Sequence, residues 1–396
     1  MINRPGARPV RYPVGRDVPP FYVLEVLQAA QAMQDAGRPV LHLEVGQPCT
    51  GAPRTVLDAA NRAVASERLG YTTANGIAPL RLRIAAHYAQ RYGVTVDPER
   101  IVLTAGASGG FVLAFLAAFP AGARVAVTEP GYPCYRNTLL AFERVAVGVP
   151  VDATSRFQPT PQILDAAGPL DGLVMASPSN PTGTALTEAE LQALVNWSAE
   201  RGVRLVADEI YHGISYSSAA PTALSFSDDV IVLNSFSKYF SMTGWRLGWM
   251  VLPTDLVEVV DRLAGNLYIC PATLSQHAAL AAFDAAEELD DHVRRYGRNR
   301  EIVLEALPAM GITELSPADG AFYVYARTSH LARDSAALCE AWLEELAVAV
   351  TPGIDFDPTR GAEFVRFSFS GATADIAEAM GRIGAWVAAH PTGLLS

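Results

Sequence analysis

Lys238 is the only lysine in the chain; every other basic side chain among the thirty is an arginine. Arginine serves wherever charge and solubility suffice, but its guanidinium stays protonated at any accessible pH. It cannot become a free nucleophile and form a Schiff base, which a lysine amine can. A codon bias that left one survivor would give the same count, so the weight falls on the surroundings.

Lys238 closes Asn234-Ser235-Phe236-Ser237-Lys238, directly after the apolar run Val230–Leu233. Two similar runs also end in polar residues. Leu173–Ala176 leads into Ser177-Pro178-Ser179-Asn180-Pro181-Thr182-Gly183, and Arg204–Ala207 delivers Asp208 and then Tyr211. Beyond the lysine comes Arg246, in Thr243-Gly244-Trp245-Arg246-Leu247-Gly248-Trp249. Read as strands of an open α/β sheet, these runs carry their polar followers to one edge, where such sheets bind ligands. An amine, a carboxylate, an amide, a phenol, a guanidinium and hydroxyls gathered there suit a phosphorylated, ring-shaped cofactor that forms an imine. Taken singly, each has a blander reading: Asp208 as a helix cap, Asn180 as a turn former, Arg246 as a surface arginine.

The elements that must position these residues show in the hydrophobic pattern. Short β-rich runs at Ile101–Thr104, Arg124–Thr128, Leu173–Ala176, Arg204–Ala207, Val230–Leu233 and Leu247–Val251 alternate with helical stretches such as Glu188–Arg201. This predicts an α/β fold whose mostly parallel sheet is flanked by helices. A further helix is predicted from about Phe21 to Asp35, ending before Gly37. After roughly Ala285 the pattern becomes α+β, with a helix to Leu307, strands at Phe322–Ala326 and Phe364–Ser368, a helix at Ser335–Leu346 and a closing helix. The expected organisation is an N-terminal arm over 1–20, a large domain over 46–284, and a smaller α+β domain from the chain termini, 21–45 with 285–396.

Composition narrows the function classes. Of 396 residues, 50% are hydrophobic and 18% charged, with a net charge of −11, which describes a globular protein without the basic face a nucleic-acid binder needs. Cys49, Cys134, Cys270 and Cys339 show no CxxC spacing and the histidines no HExxH pair, so no metal site is expected. No apolar stretch reaches membrane-spanning length and no secretory signal is evident, so the expected location is cytoplasmic.

The SNPTG loop at 179–183, the DEIY segment at 208–211 and the SFSK…GWRLGW block at 235–249 resemble, in this order, the class I/II aminotransferases of fold type I. That family uses pyridoxal 5′-phosphate, and the resemblance runs from Phe21 to the C-terminal helix. It implies that Lys238 holds the cofactor as a Schiff base (an aldimine) and, once freed by substrate, moves a proton as base and then acid. It implies that Asp208 pairs with the pyridine nitrogen, that Asn180 and Tyr211 bond the ring's phenolic oxygen, and that Tyr132 stacks on the ring. The phosphate would be taken by Arg246 and Ser235, with Ser237 assisting, and by the backbone of Ala107 and Ser108 at a helix N-terminus. Tyr71 looks like the tyrosine that reaches the partner subunit's phosphate, which implies a homodimer with shared sites. Arg366 matches the substrate-carboxylate arginine, assisted by Gly46 and Asn180.

The cofactor does the hard step and the pocket chooses the bond that breaks. Transfer of an amino group from an L-amino acid to a 2-oxo acid, through a pyridoxamine phosphate form, is the expected reaction. A carbon–sulfur β-lyase, an aspartate-type aminotransferase and a non-catalytic amino-acid sensor are the alternatives. Two positions depart from the family pattern. Ser108 stands where aspartate and prephenate enzymes often carry a clamping lysine, which favours a neutral or hydrophobic donor with 2-oxoglutarate or pyruvate as acceptor. Asp357 stands where glycine is usual, in the loop before Arg366. His212, beside Tyr211, is read as structural, Trp245 and Trp249 as core, and Cys49 and Cys134 as packing residues.

Overall fold

Strand–helix alternation resolves into twelve strands among the described residues of this computed structural model, which are 18–391, 393 and 394. All but the last three residues of the expected N-terminal arm lie outside them. In chain order the strands are β1 (Leu41–His42), β2 (Ile101–Thr104), β3 (Arg124–Glu129), β4 (Val145–Pro150), β5 (Gly172–Ala176) and β6 (Arg204–Asp208). They continue with β7 (Ile231–Ser235), β8 (Gly248–Val251), β9 (Tyr323–Arg327), β10 (Val348–Ala349), β11 (Thr351–Pro352) and β12 (Phe364–Ser368). Seven of them form one sheet in the order β2-β8-β7-β6-β5-β3-β4. All its pairings are parallel except those of β8, which runs antiparallel to both neighbours.

Both faces of this sheet are covered, which is why its strands read as continuous apolar runs. Successive side chains alternate between two cores. Leu173, Met175, Leu205, Ala207 and Val232 join a layer with helices Ala78–Tyr92 and Glu188–Arg201. Val174, Ala176, Val206, Ile231 and Leu233 join the opposite layer, with helices Gly106–Ala118 and Thr254–Leu267. Helix Glu188–Arg201 matches its sequence expectation because both ends are encoded locally. Thr187 Oγ1 accepts from the Glu190 N–H at 3.3 Å, the Glu190 carboxylate accepts from the Thr187 N–H at 2.7 Å, and Gly202 ends the helix at φ 64°. Strand β4 has no such announcement in the sequence. It is an edge strand, mostly not buried, interrupted by Gly148 and ended by Pro150, so the alternation that marks a half-buried strand is blurred.

A second core lies on the three-stranded sheet β11-β12-β9, packed by helices Ala286–Ala309, Ser335–Leu346 and Thr373–Ala389. The first helix, α1 (Tyr22–Asp35), belongs to this end of the molecule, with Ala30 packed against Leu343 and Ala349. The short strand after it, β1, pairs in parallel with β10, joining Leu41 to Val348. No helix among the described residues is long and apolar enough to cross a membrane.

Leu173 is fully buried as the second residue of β5, three positions before the strand ends at the polar edge of the sheet. Leu173→Ala is expected to cost about 2–5 kcal/mol through lost burial and a residual cavity. A fall in the midpoint of chemical denaturation checks this.

Candidate active site

Five connections of the large sheet empty at one edge. Strands β5, β6 and β7 lie in register and end there, with Ala176 opposite Asp208 and Asp208 opposite Leu233. Strand β8 is antiparallel and starts on that edge, while β2, beside it, ends there. The space beyond is a cavity of about 350 Å³. Gly46, Ala107, Ser108, Tyr132, Asn180, Asp208, Tyr211, Ser237, Lys238, Arg246 and Arg366 all line it. Residues expected from the sequence thus converge from segments scattered over more than 300 positions, as sheet-edge placement requires.

The Lys238 amine donates to the Gly46 carbonyl and sits 5.8 Å from the centre of the Tyr211 ring. Enclosure, followed by the charges of Arg366 and Arg246, lowers its pKa to about 8, against the opposing pull of Asp208. At pH 7 about one amine in ten is then uncharged, compared with roughly three in ten thousand at the ordinary value. Asp208 shows the converse shift. Burial raises its carboxyl to about 6, although hydrogen bonds from Tyr135 and from the Ile210 N–H (3.0 Å) favour the charged form. A buried carboxylate of this kind suits a cationic ring nitrogen, which would restore the neutralisation that burial removes.

One end of the cavity, built from backbone N–H groups and an arginine, suits an anion. Helix Gly106–Ala118 starts at this edge without a side-chain cap, so its first N–H groups are open to an anion. Gly106 has φ +69°, and a Cβ there would lie 2.5 Å from Arg246 Nη2, so only glycine admits the guanidinium. Arg246 is itself left-handed, at φ +51°, following the turn Thr243–Trp245, and Nη1 donates to the Thr243 carbonyl at 3.0 Å. Ser237 presents its hydroxyl to the cavity. Ser235 does not: it is buried behind Ser237, within 2.9 Å of that hydroxyl and 3.1 Å of the Leu247 carbonyl, and it accepts the Ser237 N–H. It sits on the last residue of β7, so its side chain points into the sheet layer and steadies the loop.

Arg366 enters from β12 and is 2% exposed. Its Nη1 donates to Asn180 Oδ1 at 2.9 Å, and Nη2 donates to Thr351 Oγ1 at 3.1 Å and to the Glu44 carbonyl. The guanidinium lies between two aromatic rings, 4.5 Å from the centre of Tyr323 and 4.7 Å from that of Phe356. Its Nε has no partner, and no carboxylate among the described residues pairs with it. A buried cation left unpaired is costly, so the site favours an incoming carboxylate.

Two contributors escape the motif reading. Tyr323 lies 2.7 Å from Tyr211, hydroxyl to hydroxyl, and fills the space over Gly46, where a Cβ would be 1.6 Å from its oxygen. Tyr135 donates to Asp208 from helix Pro133–Ala141. The available signals were weak: one helical turn after Tyr132 for Tyr135, and the Gly320-Ala321 step before an aromatic strand for Tyr323. Apolar residues complete the lining, among them Phe21, Val23 and Leu24 of the α1 entry, and Val45.

The remaining expectations fall outside the cavity. Tyr71 is 84% exposed and lines a separate surface recess. His212 is buried and neutral, its pKa lowered to about 3 chiefly by burial; Nε2–H donates to the Ser177 carbonyl at 3.0 Å and Nδ1 accepts from the Tyr92 hydroxyl at 2.8 Å. It braces the loop that carries Asn180. Trp249 is in the core with Trp245 packed on it. Cys49 is exposed and Cys134 part-buried; the packing reading of Cys49 therefore fails, because its loop lines an open recess on the surface. Asp357 accepts from the N–H groups of Thr359 and Arg360, both at 2.9 Å, and pairs with Arg360, so the carboxylate closes the turn where glycine would leave it free.

Comparison with known proteins agrees with this geometry. The family model described as aminotransferase class I and II matches residues 38–383. The chain is similar to a valine–pyruvate aminotransferase of Mycobacterium tuberculosis, with 50% identity over 375 residues, 93% of this chain and 97% of the relative. A crystal structure of an aminotransferase from Mycobacterium tuberculosis superposes with a TM-score of 0.94 at 49% identity, covering 96% of this chain and 100% of that one. The aspartate aminotransferase of Thermus thermophilus, solved with maleate, gives 0.89 at 28% identity, covering 94% and 98%. The chain therefore belongs to the class I and II aminotransferases, pyridoxal-phosphate enzymes that move an amino group from an amino acid to a 2-oxo acid.

Proposed function

We propose that this aminotransferase takes its amino group from a neutral, apolar L-amino acid, with valine as the model donor, and passes it to pyruvate or another small 2-oxo acid. The observation that carries this reading is the cavity lining. Phe21, Val23, Leu24 and Val45 form an apolar wall, and Lys238, Arg246 and Arg366 are its only cations among the described residues. Those three have tasks in the reaction, so a second, distal carboxylate on the donor would be buried without a partner. Ser108 at the helix N-terminus supplies a hydroxyl and no charge. The name of the Mycobacterium tuberculosis relative supports the same donor and acceptor.

The residues divide the work as follows. Arg246, Ser237 and the N–H groups at Ala107 and Ser108 bind the cofactor's phosphate, Tyr132 packs beside its ring, and Asp208 holds a proton at the ring nitrogen. Pyridoxal phosphate, when bound, supplies the electron sink that weakens the substrate's Cα–H bond. Arg366 takes the α-carboxylate through its unpaired Nε side, steadied by Asn180, and so fixes which Cα bond faces the lysine. Lys238 removes the Cα proton and returns one, a task suited to an amine with a pKa near the working pH. Tyr211, with Tyr323 at 2.7 Å, presents a phenol to the cofactor's oxygen substituent. The apolar wall keeps water from the exposed carbon.

The same proposal includes a homodimer working in the cytoplasm, with Tyr71 reaching the phosphate in the neighbouring subunit. Its support is an 84% exposed tyrosine that does not line its own cavity, together with exposed apolar side chains at Leu57, Val64, Leu82, Leu267 and Ile269.

Three outcomes are expected. In a titration of the loaded enzyme with single L-amino acids, valine should bleach the visible cofactor band at least about tenfold more efficiently than aspartate, the scale on which a hydrophobic pocket discriminates; a preference for aspartate would overturn the donor assignment. Recombination of cofactor-free protein with pyridoxal phosphate should accelerate as pH rises through about 8, because the uncharged Lys238 amine is the nucleophile and burial has lowered its pKa to there; a midpoint near 10 would show the amine unshifted. Mixed dimers of Lys238→Ala and Tyr71→Ala chains should recover one intact site, with activity above that of either parent, and no recovery would place Tyr71 outside the partner's site.

A further inference from the structure

The helix that bears the apolar wall is capped from the far end of the chain. Phe21 at the N-cap of α1 offers no side-chain acceptor, so the first N–H groups of the helix need another partner. Asp355 provides it: Oδ2 accepts the Val23 N–H at 3.2 Å, across 332 positions of sequence. Asp355 is 2% exposed and does not line the cavity. Its own carbonyl accepts from Arg136 Nη2 at 3.3 Å, which fixes the segment against the large sheet's helices.

The neighbouring residue makes this cap more than a local one. Phe356 is the ring 4.7 Å from the Arg366 guanidinium, and two residues before Gly353-Ile354-Asp355, Thr351 is paired with Arg366 across the β11–β12 ladder. Phe356 also shares a small hydrophobic cluster with Val23, against which Phe21 and Val45 pack. One short segment therefore touches both ends of the donor's berth. Its aromatic ring sets the plane of the arginine proposed to take the α-carboxylate, and its carboxylate sets the start of the helix whose side chains would meet the donor's side chain.

We propose that Asp355 is a positioning residue for donor selection: by capping α1 from the segment that seats Arg366, it fixes the distance between the carboxylate anchor and the apolar wall. The proposal rests on the apolar-donor reading given above and adds the element that sets the length of side chain accepted. A wall held at fixed distance rewards a donor that fills the gap and gives little to one that falls short, so valine is separated from alanine. A wall released from its cap loses that separation first.

The test compares valine and alanine as donors in the loaded enzyme and follows hydrogen exchange of residues 21–26. In Asp355→Ala, KM for valine should rise and the kcat/KM preference for valine over alanine should fall about fivefold, the size expected from losing one helix cap, with kcat affected much less. Exchange in 21–26 should accelerate, and Asp355→Asn, which keeps an acceptor of the same shape, should restore most of both effects. If Asp355→Ala does not fold, Val23→Pro deletes the donor N–H in a first turn where proline is tolerated, and it should lose more preference than Val23→Ala, which keeps the N–H. A wild-type preference for aspartate over valine would overturn the donor reading, and the proposal with it; a wild-type enzyme that prefers valine to aspartate but not to alanine overturns the proposal alone. A wild-type preference that survives in a folded Asp355→Ala, or in Val23→Pro as fully as in Val23→Ala, overturns the proposal alone.

Discussion

An amine that must be uncharged part of the time shares one cavity with two arginines and a single buried carboxylate. The electrostatics of that arrangement constrain everything around it. Enclosure in the cavity pushes Lys238 toward its neutral form, and the charges of Arg366 and Arg246 add to the push. Asp208 resists it, yet burial brings Asp208 itself partway to neutral. The balance holds only while water is kept from most of these groups, which requires the two cores to meet over the sheet edge. The charges come from different elements for the same reason. Asp208 ends β6 and Lys238 lies in the loop just after its neighbour β7, while Arg366 arrives from the small sheet.

Such a balance leaves specific requirements on the supporting residues. Gly106 is held to glycine by its left-handed backbone, and a Cβ there would also displace the Arg246 guanidinium. Gly46 must be glycine because the Tyr323 hydroxyl occupies the place of its side chain. The left-handed backbone of Arg246 is tolerated where turn and strand on either side determine it. Each of these departures from ordinary backbone preference sits against a functional side chain, as expected where the site rather than local stability decides the residue.

Much of this was readable in the sequence because it is written locally. The strands feeding the site are buried on both faces and so appear as unbroken apolar runs, with the chemistry in the residues immediately after each. Helix Glu188–Arg201 carries its start and stop signals within a few positions, helix Ser335–Leu346 its start signal at Asp334, and both fall where the pattern placed them. What stayed hidden depends on contacts between distant segments. The edge strand β4 has too little burial to impose a period. The roles of Tyr323 and Tyr135 exist only once Tyr211 and Asp208 are beside them. Ser235 and Ser237 are alternate residues in one motif, and only the end of β7 decides which hydroxyl faces the cavity.

The pairing of the chain's two ends has a consequence for the order of events during synthesis. Helix α1 leaves the ribosome more than 300 residues before its cap at Asp355 and the strand partner of β1 at Val348. Until those later segments are made, only partners such as Tyr132, Val151 and Phe157 are there to cover its apolar start, while the large sheet can assemble from neighbours close in sequence. A chain that stops before them can therefore gather the cavity-lining residues of the large sheet and still lack both Arg366 and the cap of α1. On the reading proposed above, selectivity for the donor is acquired only after the segment around Asp355 has been made.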